Sequence, residues 1–199
     1  MTLAQARHTA PAGPERAPEL DEVTLRRAQR GDPDACRALI ERYQAPVFAL
    51  LHRMLGPGRA ARVEDLAQET FLAVFKALAR FSLPGEARLS TWILTIASRR
   101  AIDELRRRAP EPAPLEDAAG MPGSARADDG LRRRQVAAAI QRAIADLPPE
   151  QRAAFLLREY HQLDYAEIAR AVGVDIGTIK SRLSRARAAL RAALTEVHE

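Results

Sequence analysis

The chain has 199 residues, enough for one domain or two small ones, and 47% of them are apolar, which permits packed cores. Its 31 Lys and Arg outnumber 26 Asp and Glu, giving a net charge of +5 and a pI near 10.1, a balance that favours a polyanionic partner. A single cysteine excludes an internal disulfide and a cysteine-based zinc site. No apolar run reaches membrane-spanning length, so a cytoplasmic protein with no membrane insertion is expected.

Residues 1–20 carry Pro11, Pro14 and Pro18 and no apolar period, and read as a disordered tail. Helical patterning runs from Glu22 to Arg30, breaks at Gly31-Asp32-Pro33 and resumes at Asp34. There Leu39, Ile40, Tyr43, Val47, Phe48 and Leu51 recur at steps of three and four. Pro46 is expected to kink or split this helix, because it lacks an N–H and its ring collides with the carbonyl four residues back. Cys36 reads as a small buried hydrophobe and His52 as a structural or solvated side chain rather than a ligand.

The next helix, Val63 to Ala79, has a core face of Ala67, Phe71, Val74, Phe75 and Leu78. Asp65, Gln68, Glu69, Leu72 and Lys76 fall on the other side. A leucine set among acids and an amide suits a protein-contact surface, although single exposed leucines are also common. A loop over Phe81 to Glu86 turns at Pro84-Gly85, after which Ser90 or Thr91 can cap a helix carrying Arg99, Arg100, Arg106, Arg107 and Arg108. Trp92, in its first turn beside those cations, suits stacking on unpaired bases. It equally suits plugging the core, and the two uses are compatible.

Ala109 to Gly130 holds four Pro, three Gly and five acids against one Arg, the composition of a flexible linker. Helix is expected again from Leu131 to Ala145, and another opens at Pro148-Pro149 with Phe155, Leu156 and Tyr160 on its apolar side. Tyr165 to Val172, the turn at Gly173 and a longer run from Ile176 then read as a helix-turn-helix, with Asp175 able to cap the second helix. On that helix Ile179, Leu183, Ala186 and Leu190 share the buried face. Gly177, Thr178, Ser181, Ser184, Arg185 and Ala188 lie opposite, flanked by Lys180, Arg182 and Arg187. Thr178 to Arg191 carries five cations and no acid. Small outer residues admit a close approach to a groove while flanking cations reach phosphates, so DNA binding is favoured over an ordinary solvated basic face.

No phosphate-cradling Gly loop, paired His at helical spacing, or nucleophile with a placed base occurs in the sequence. An enzyme, a resident cofactor and a metal site are therefore not expected. The fold class expected is all-α: helical domains over 21–108 and 131–199, joined by a flexible acidic, Pro- and Gly-containing linker over 109–130. The second is a helix-turn-helix domain.

Four blocks in order carry a resemblance: VEDLAQETFLAVFKAL, STWILTIASRRAIDELRRR, LPPEQRAAFLL and YAEIARAVGVDIGTIKSRLSRAR. Together they resemble the bacterial sigma-70 family of RNA polymerase sigma factors, in its small two-domain extracytoplasmic-function type. The likeness covers roughly residues 28–194.

That resemblance implies a subunit that binds core RNA polymerase and directs promoter-specific initiation, a monomer when free and a client of an anti-sigma factor. It assigns Asp65, Gln68, Glu69 and Leu72 to docking on the polymerase. It gives the loop from Ser82 to Arg88 and the helix from Thr91, with Trp92, Arg99, Arg100 and Arg106, to melting and reading the −10 element. Thr178, Lys180, Ser181, Arg182, Ser184, Arg185 and Arg187 fall to the −35 element. Arg99 stands where the family usually has Asn, and Ser82-Leu83-Pro84 departs from its commoner loop, so the −10 preference is open.

As a flexible coil the 22-residue linker spans roughly 25 Å. Fully extended it reaches roughly 75 Å, against roughly 60 Å between elements nearly two helical turns apart. It must be held stretched, which predicts weak promoter binding by the free protein. A stand-alone helix-turn-helix regulator would explain only the C-terminal half. A helical adaptor would leave the basic helix without a use.

Overall fold

Capping and breaking residues set the helix boundaries. In the computed structural model, which describes residues 19–81, 88–107 and 137–195, every regular element is a helix. Asp21 caps α1 (Glu22–Gln29) through the Thr24 N–H at 2.9 Å. Asp32 caps α2 (Pro33–Leu55) through the Ala35 N–H, with Pro33 in the first turn where no donor is needed. Between them Gly31 takes a positive φ of 81°. The third helix, α3, spans Ala60–Leu78, and α4 spans Leu89–Arg107.

Two boundary expectations are corrected. Pro46 neither splits nor ends α2, which runs unbroken on both sides of it. Ser90 and Thr91 lie inside α4 rather than capping it, since the helix begins at Leu89 and the Arg88 carbonyl accepts from the Trp92 N–H.

The C-terminal half comprises α5 (137–145 as described), α6 (Pro149–Glu159), α7 (Tyr165–Val172) and α8 (Ile176–Thr195). Asp164 and Glu167 form a capping box at the start of α7: each side chain accepts from the other's backbone N–H at 2.7 Å. Gly173 closes α7 in the left-handed conformation (φ 76°, ψ 44°), its N–H and that of Val174 both reaching the Ala169 carbonyl. This is the tight turn of the helix-turn-helix.

In the N-terminal half α2 packs on α1, α3 and α4. Its fully buried Leu39, Tyr43, Val47, Leu50, Leu51 and Met54 meet Leu66, Phe71 and Val74 of α3 and Ile93 and Ala97 of α4 in one core. In the C-terminal half Leu156 and Leu157 of α6, Ile168 of α7, and Ile179, Leu183 and Ala186 of α8 form the centre. The two halves also touch: α4 lies against α6 and α7, and α2 against α6. Arg152 of α6 crosses this seam, donating to the Met54 carbonyl at the end of α2 and, at 3.0 Å, to that of Leu147. Burial pushes its guanidinium down to about 10. Residues 1–18 of the expected tail, the expected linker and the loop residue Ser82 lie outside the described residues, whereas Glu19 and Leu20, the tail's last two residues, are tied to Tyr43 of α2: the Leu20 N–H donates to its hydroxyl at 3.0 Å and that hydroxyl donates to Glu19 at 3.2 Å.

Candidate promoter and polymerase interfaces

Helix α8 presents the surface its spacing predicts. Ile179, Leu183, Ala186 and Leu190 are buried; Lys180, Ser184 and Arg185 are exposed; Thr178, Ser181, Arg182 and Arg187 are half-buried. Lys180 and Arg185 have no hydrogen-bond or ion-pair partner among the described residues, so their charges are available to a phosphate or a base edge. The Ser181 hydroxyl donates to the Thr178 carbonyl at 2.9 Å, which leaves it facing outward only as an acceptor. Arg187 is tied to Glu159 of α6 at 2.8 Å, and Arg182 has one buried nitrogen without a partner. Ile176, 45% exposed at the helix start, extends the outer face with an apolar contact.

On α3, Asp65, Gln68 and Leu72 are exposed and Glu69 is half-buried. Leu72, at 60% exposure, is one of three large hydrophobic residues left open to water among the described residues. Behind it an ionic network fixes the acids. Arg62 meets Glu104 at 2.8 Å, Glu69 at 3.2 Å and Asp65 at 3.6 Å, while Arg100 of α4 reaches the other oxygen of Glu69 at 2.9 Å. The hydrogen bond from Arg62 to Glu104 raises the arginine's already high pKa, so the cation is permanent. Glu69 therefore joins the face assigned to the polymerase with the helix assigned to the −10 element.

The residues expected at the −10 element share α4 and its approach, but each of those described has an internal partner. Arg88 lies 3.5 Å from Glu19. Trp92 is half-buried, packs against the core and stacks at a tilt on Phe81, ring centres 5.0 Å apart. Arg100 serves the Glu69 network.

The other three turn to the C-terminal half. Thr91, 2% exposed, donates through Oγ1 to Glu167 of the α7 capping box at 3.2 Å. Arg99 donates through Nε to the Ala171 carbonyl at 2.8 Å and through Nη2 to that of Arg170 at 3.4 Å. Arg106 pairs with Glu150 at the start of α6, its Nε at 2.8 Å. Burial acts to raise the Glu150 pKa, but its own backbone N–H and Arg106 outweigh it and hold the carboxyl below its usual value.

Sequence reading missed Glu150, Glu167, Arg62 and Arg152. The pattern Asp164-x-x-Glu167 ahead of an apolar run signals the capping box in the sequence. Arginines donating to backbone carbonyls leave no such trace.

Residues 39–111 match the model of sigma-70 region 2, and residues 137–190 match that of sigma-70 region 4. The chain is 32% identical to the RNA polymerase sigma-H factor of Pseudomonas aeruginosa, over 88% of this chain and 94% of that one. It is 32% identical to the ECF RNA polymerase sigma-E factor of Escherichia coli over 85% and 92%, and 28% identical to the ECF sigma factor SigW of Bacillus subtilis over 87% and 96%. Among solved structures it shares the fold of CnrH in complex with the cytosolic domain of CnrY, with a TM-score of 0.64 at 21% identity over 87% of this chain and 96% of that one. It likewise shares that of the sigma factor RpoE from Bartonella quintana, in complex with the anti-sigma factor NepR, with a TM-score of 0.57 at 23% identity over 80% and 96%. The chain belongs to the sigma-70 family of RNA polymerase sigma factors, among its extracytoplasmic-function members.

Proposed function

We propose that this sigma factor divides promoter recognition between its halves, with α8 reading the −35 element and α4 with its preceding loop the −10 element, while the Asp65, Gln68, Glu69 and Leu72 face docks on core RNA polymerase. The observation that carries this is the outer face of α8: small residues and Arg185 at its centre, Lys180 at its flank, neither cation paired among the described residues, and a buried apolar stripe behind it. A helix placed so can enter the major groove, where Arg185 reaches base edges and Lys180, Arg182 and Arg187 reach phosphates.

The exposed Leu72 ringed by acids suits a protein partner, since an acidic face repels DNA. The similar sigma factor solved with the anti-sigma factor NepR supports such a factor as a second partner here. No described helix is long and apolar enough to cross a membrane, which agrees with action in the cytoplasm.

Run-off transcription with purified core enzyme on genomic fragments tests the reading. Discrete transcripts that require this protein support it. Specific duplex binding at physiological salt by the free protein, with no transcript on adding core enzyme, marks a stand-alone regulator instead.

A further inference from the structure

We propose that the segment from Glu19 to Gln29 is a two-point clamp on the −10 reader, in which Gln29 and Glu19 are positioning residues for Trp92 and Arg88. This rests on the assignment of those two residues to the −10 element. Glu19 and Gln29 both lie ahead of residues 39–111, the part that matches sigma-70 region 2, so neither is given a role by that match.

Gln29 holds the chain where α3 ends. Its Nε2 amide donates to the Leu78 carbonyl at 3.0 Å and to the Phe81 carbonyl at 2.6 Å. Leu78 is the last residue of α3, whose final carbonyls have no donor within the helix. Phe81 in turn stacks on Trp92, and both rings pack against the core. One amide, with both of its hydrogens used, thus fixes the ring on which the chain's only tryptophan leans.

Glu19 holds the chain where α4 begins. Its Oε2 accepts at 3.2 Å from the Ser90 N–H, a first-turn donor with no partner in the helix. Its Oε1 accepts from the Ser90 hydroxyl and lies 3.5 Å from Arg88 Nε. Negative charge at this end also suits the helix dipole. The cap of α4 therefore comes from 71 residues back in the chain. The buried Tyr43 hydroxyl steadies it, donating to Glu19 and accepting from the Leu20 N–H. Burial pushes that hydroxyl up to about 12, so it keeps its proton.

Helix α1 makes the two holds one device. Leu25 and Ala28 are buried and set α1 against α2 and α3. The bonds of Gln29 and Glu19 add what apolar packing does not, a fixed place for Phe81 and Arg88, the described residues on either side of 82–87. Contacts that read a base tolerate only about 0.5 Å of displacement, so such support bears on selection and not on stability alone.

The test is run-off transcription with core enzyme on a promoter mapped from genomic fragments and on single-base variants of its two elements. Loss of folded protein lowers every yield alike and leaves the ratios between templates unchanged. Gln29→Glu keeps the shape but turns an acceptor towards two carbonyls, and Glu19→Gln removes the charge that Arg88 and the helix start share. Each should lower the ratio of matched to mismatched −10 yield about fivefold, the net worth of one hydrogen bond, and leave the −35 ratio unchanged. In the free chain Gln29→Glu should also shift Trp92 emission to longer wavelength and ease its quenching by acrylamide. Gln29→Lys keeps a donor and should restore both readouts. Gln29→Ala repeats the test if Gln29→Glu does not fold.

Unchanged −10 ratios in these variants, where Trp92→Ala does alter the ratio, overturn the clamp. So does a Gln29→Lys chain that behaves like Gln29→Glu. If Trp92→Ala and Arg88→Ala also leave the −10 ratio unchanged, the −10 assignment fails instead and the clamp has nothing to position.

Discussion

Arg62 meets three carboxylates at once, and one of them, Glu104, is almost wholly buried. Removing the charge at Glu104 leaves the cation facing an amide, with Glu69 and Asp65 as its remaining acids. Glu104→Gln should therefore lower stability, by less than the roughly 3–5 kcal/mol of a fully buried pair because Arg62 keeps some contact with water. A fall in the urea midpoint at unchanged slope measures it.

Arg185 differs, being exposed and without a partner among the described residues. Arg185→Ala should leave stability within about 0.5 kcal/mol. If Arg185 makes a bidentate base contact, its loss should weaken selection of the matching −35 base by about 1–3 kcal/mol, read as transcript yield on matched and mismatched templates. The sequence marks both Arg99 and Arg185 as outward-facing cations. What separates them, a carbonyl pair 72 and 71 residues away, is a tertiary fact that no local pattern encodes.

At the scale of the helix, α2 carries a proline that its neighbours override. Pro46 forfeits one backbone hydrogen bond, a local cost of about 3 kcal/mol. Yet Tyr43, Val47, Leu50 and Leu51 on both sides of it are buried in the same core, and that burial keeps the helix unbroken. Pro46→Ala should accordingly stabilise the protein, by up to about 3 kcal/mol, seen as a higher melting temperature.

His161, in the turn between α6 and α7, gives that junction a pH dependence. Burial, and then the nearby Arg53 cation, push its pKa down to about 4, so it is neutral in the fold. Exposed, it titrates near its ordinary 6.5. The unfolded chain thus binds the extra proton first, and the His161 contribution to stability is complete above pH 6.5 and lost as the pH falls towards 4. Tyr160 beside it, Tyr43 of α2 and Thr91 of α4 line one cavity with it and bring no negative charge to offset the proton. Urea midpoints from pH 7.5 to 4.5 should fall less steeply in His161→Gln than in the unsubstituted chain.

Across the whole molecule, what the sequence makes legible is whatever depends on neighbours along one helix. The α8 stripe of Ile179, Leu183, Ala186 and Leu190, the Leu72 face of α3 and the Gly173 turn all follow from periods and breakers, and each stands where the pattern puts it. The packing of α4 on α7 does not follow, because it depends on how two separately periodic halves meet.

One consequence of that packing separates the two proposed partners. The Asp65, Gln68 and Leu72 side chains face water away from the seam, so core polymerase can dock on α3 while α7 lies on α4. Its docking then meets Glu69, whose second oxygen holds Arg100 of α4. Asp65→Ala with Gln68→Ala should weaken core binding about tenfold or more in fluorescence anisotropy while changing the stability of the free chain by no more than about 0.5 kcal/mol. Glu69→Gln should do more than lose a contact. With Arg100 released, core binding and the urea midpoint of the free chain should fall together. Equal core affinity in the double variant and the unsubstituted chain would remove α3 from the polymerase interface and leave the exposed leucine without a use.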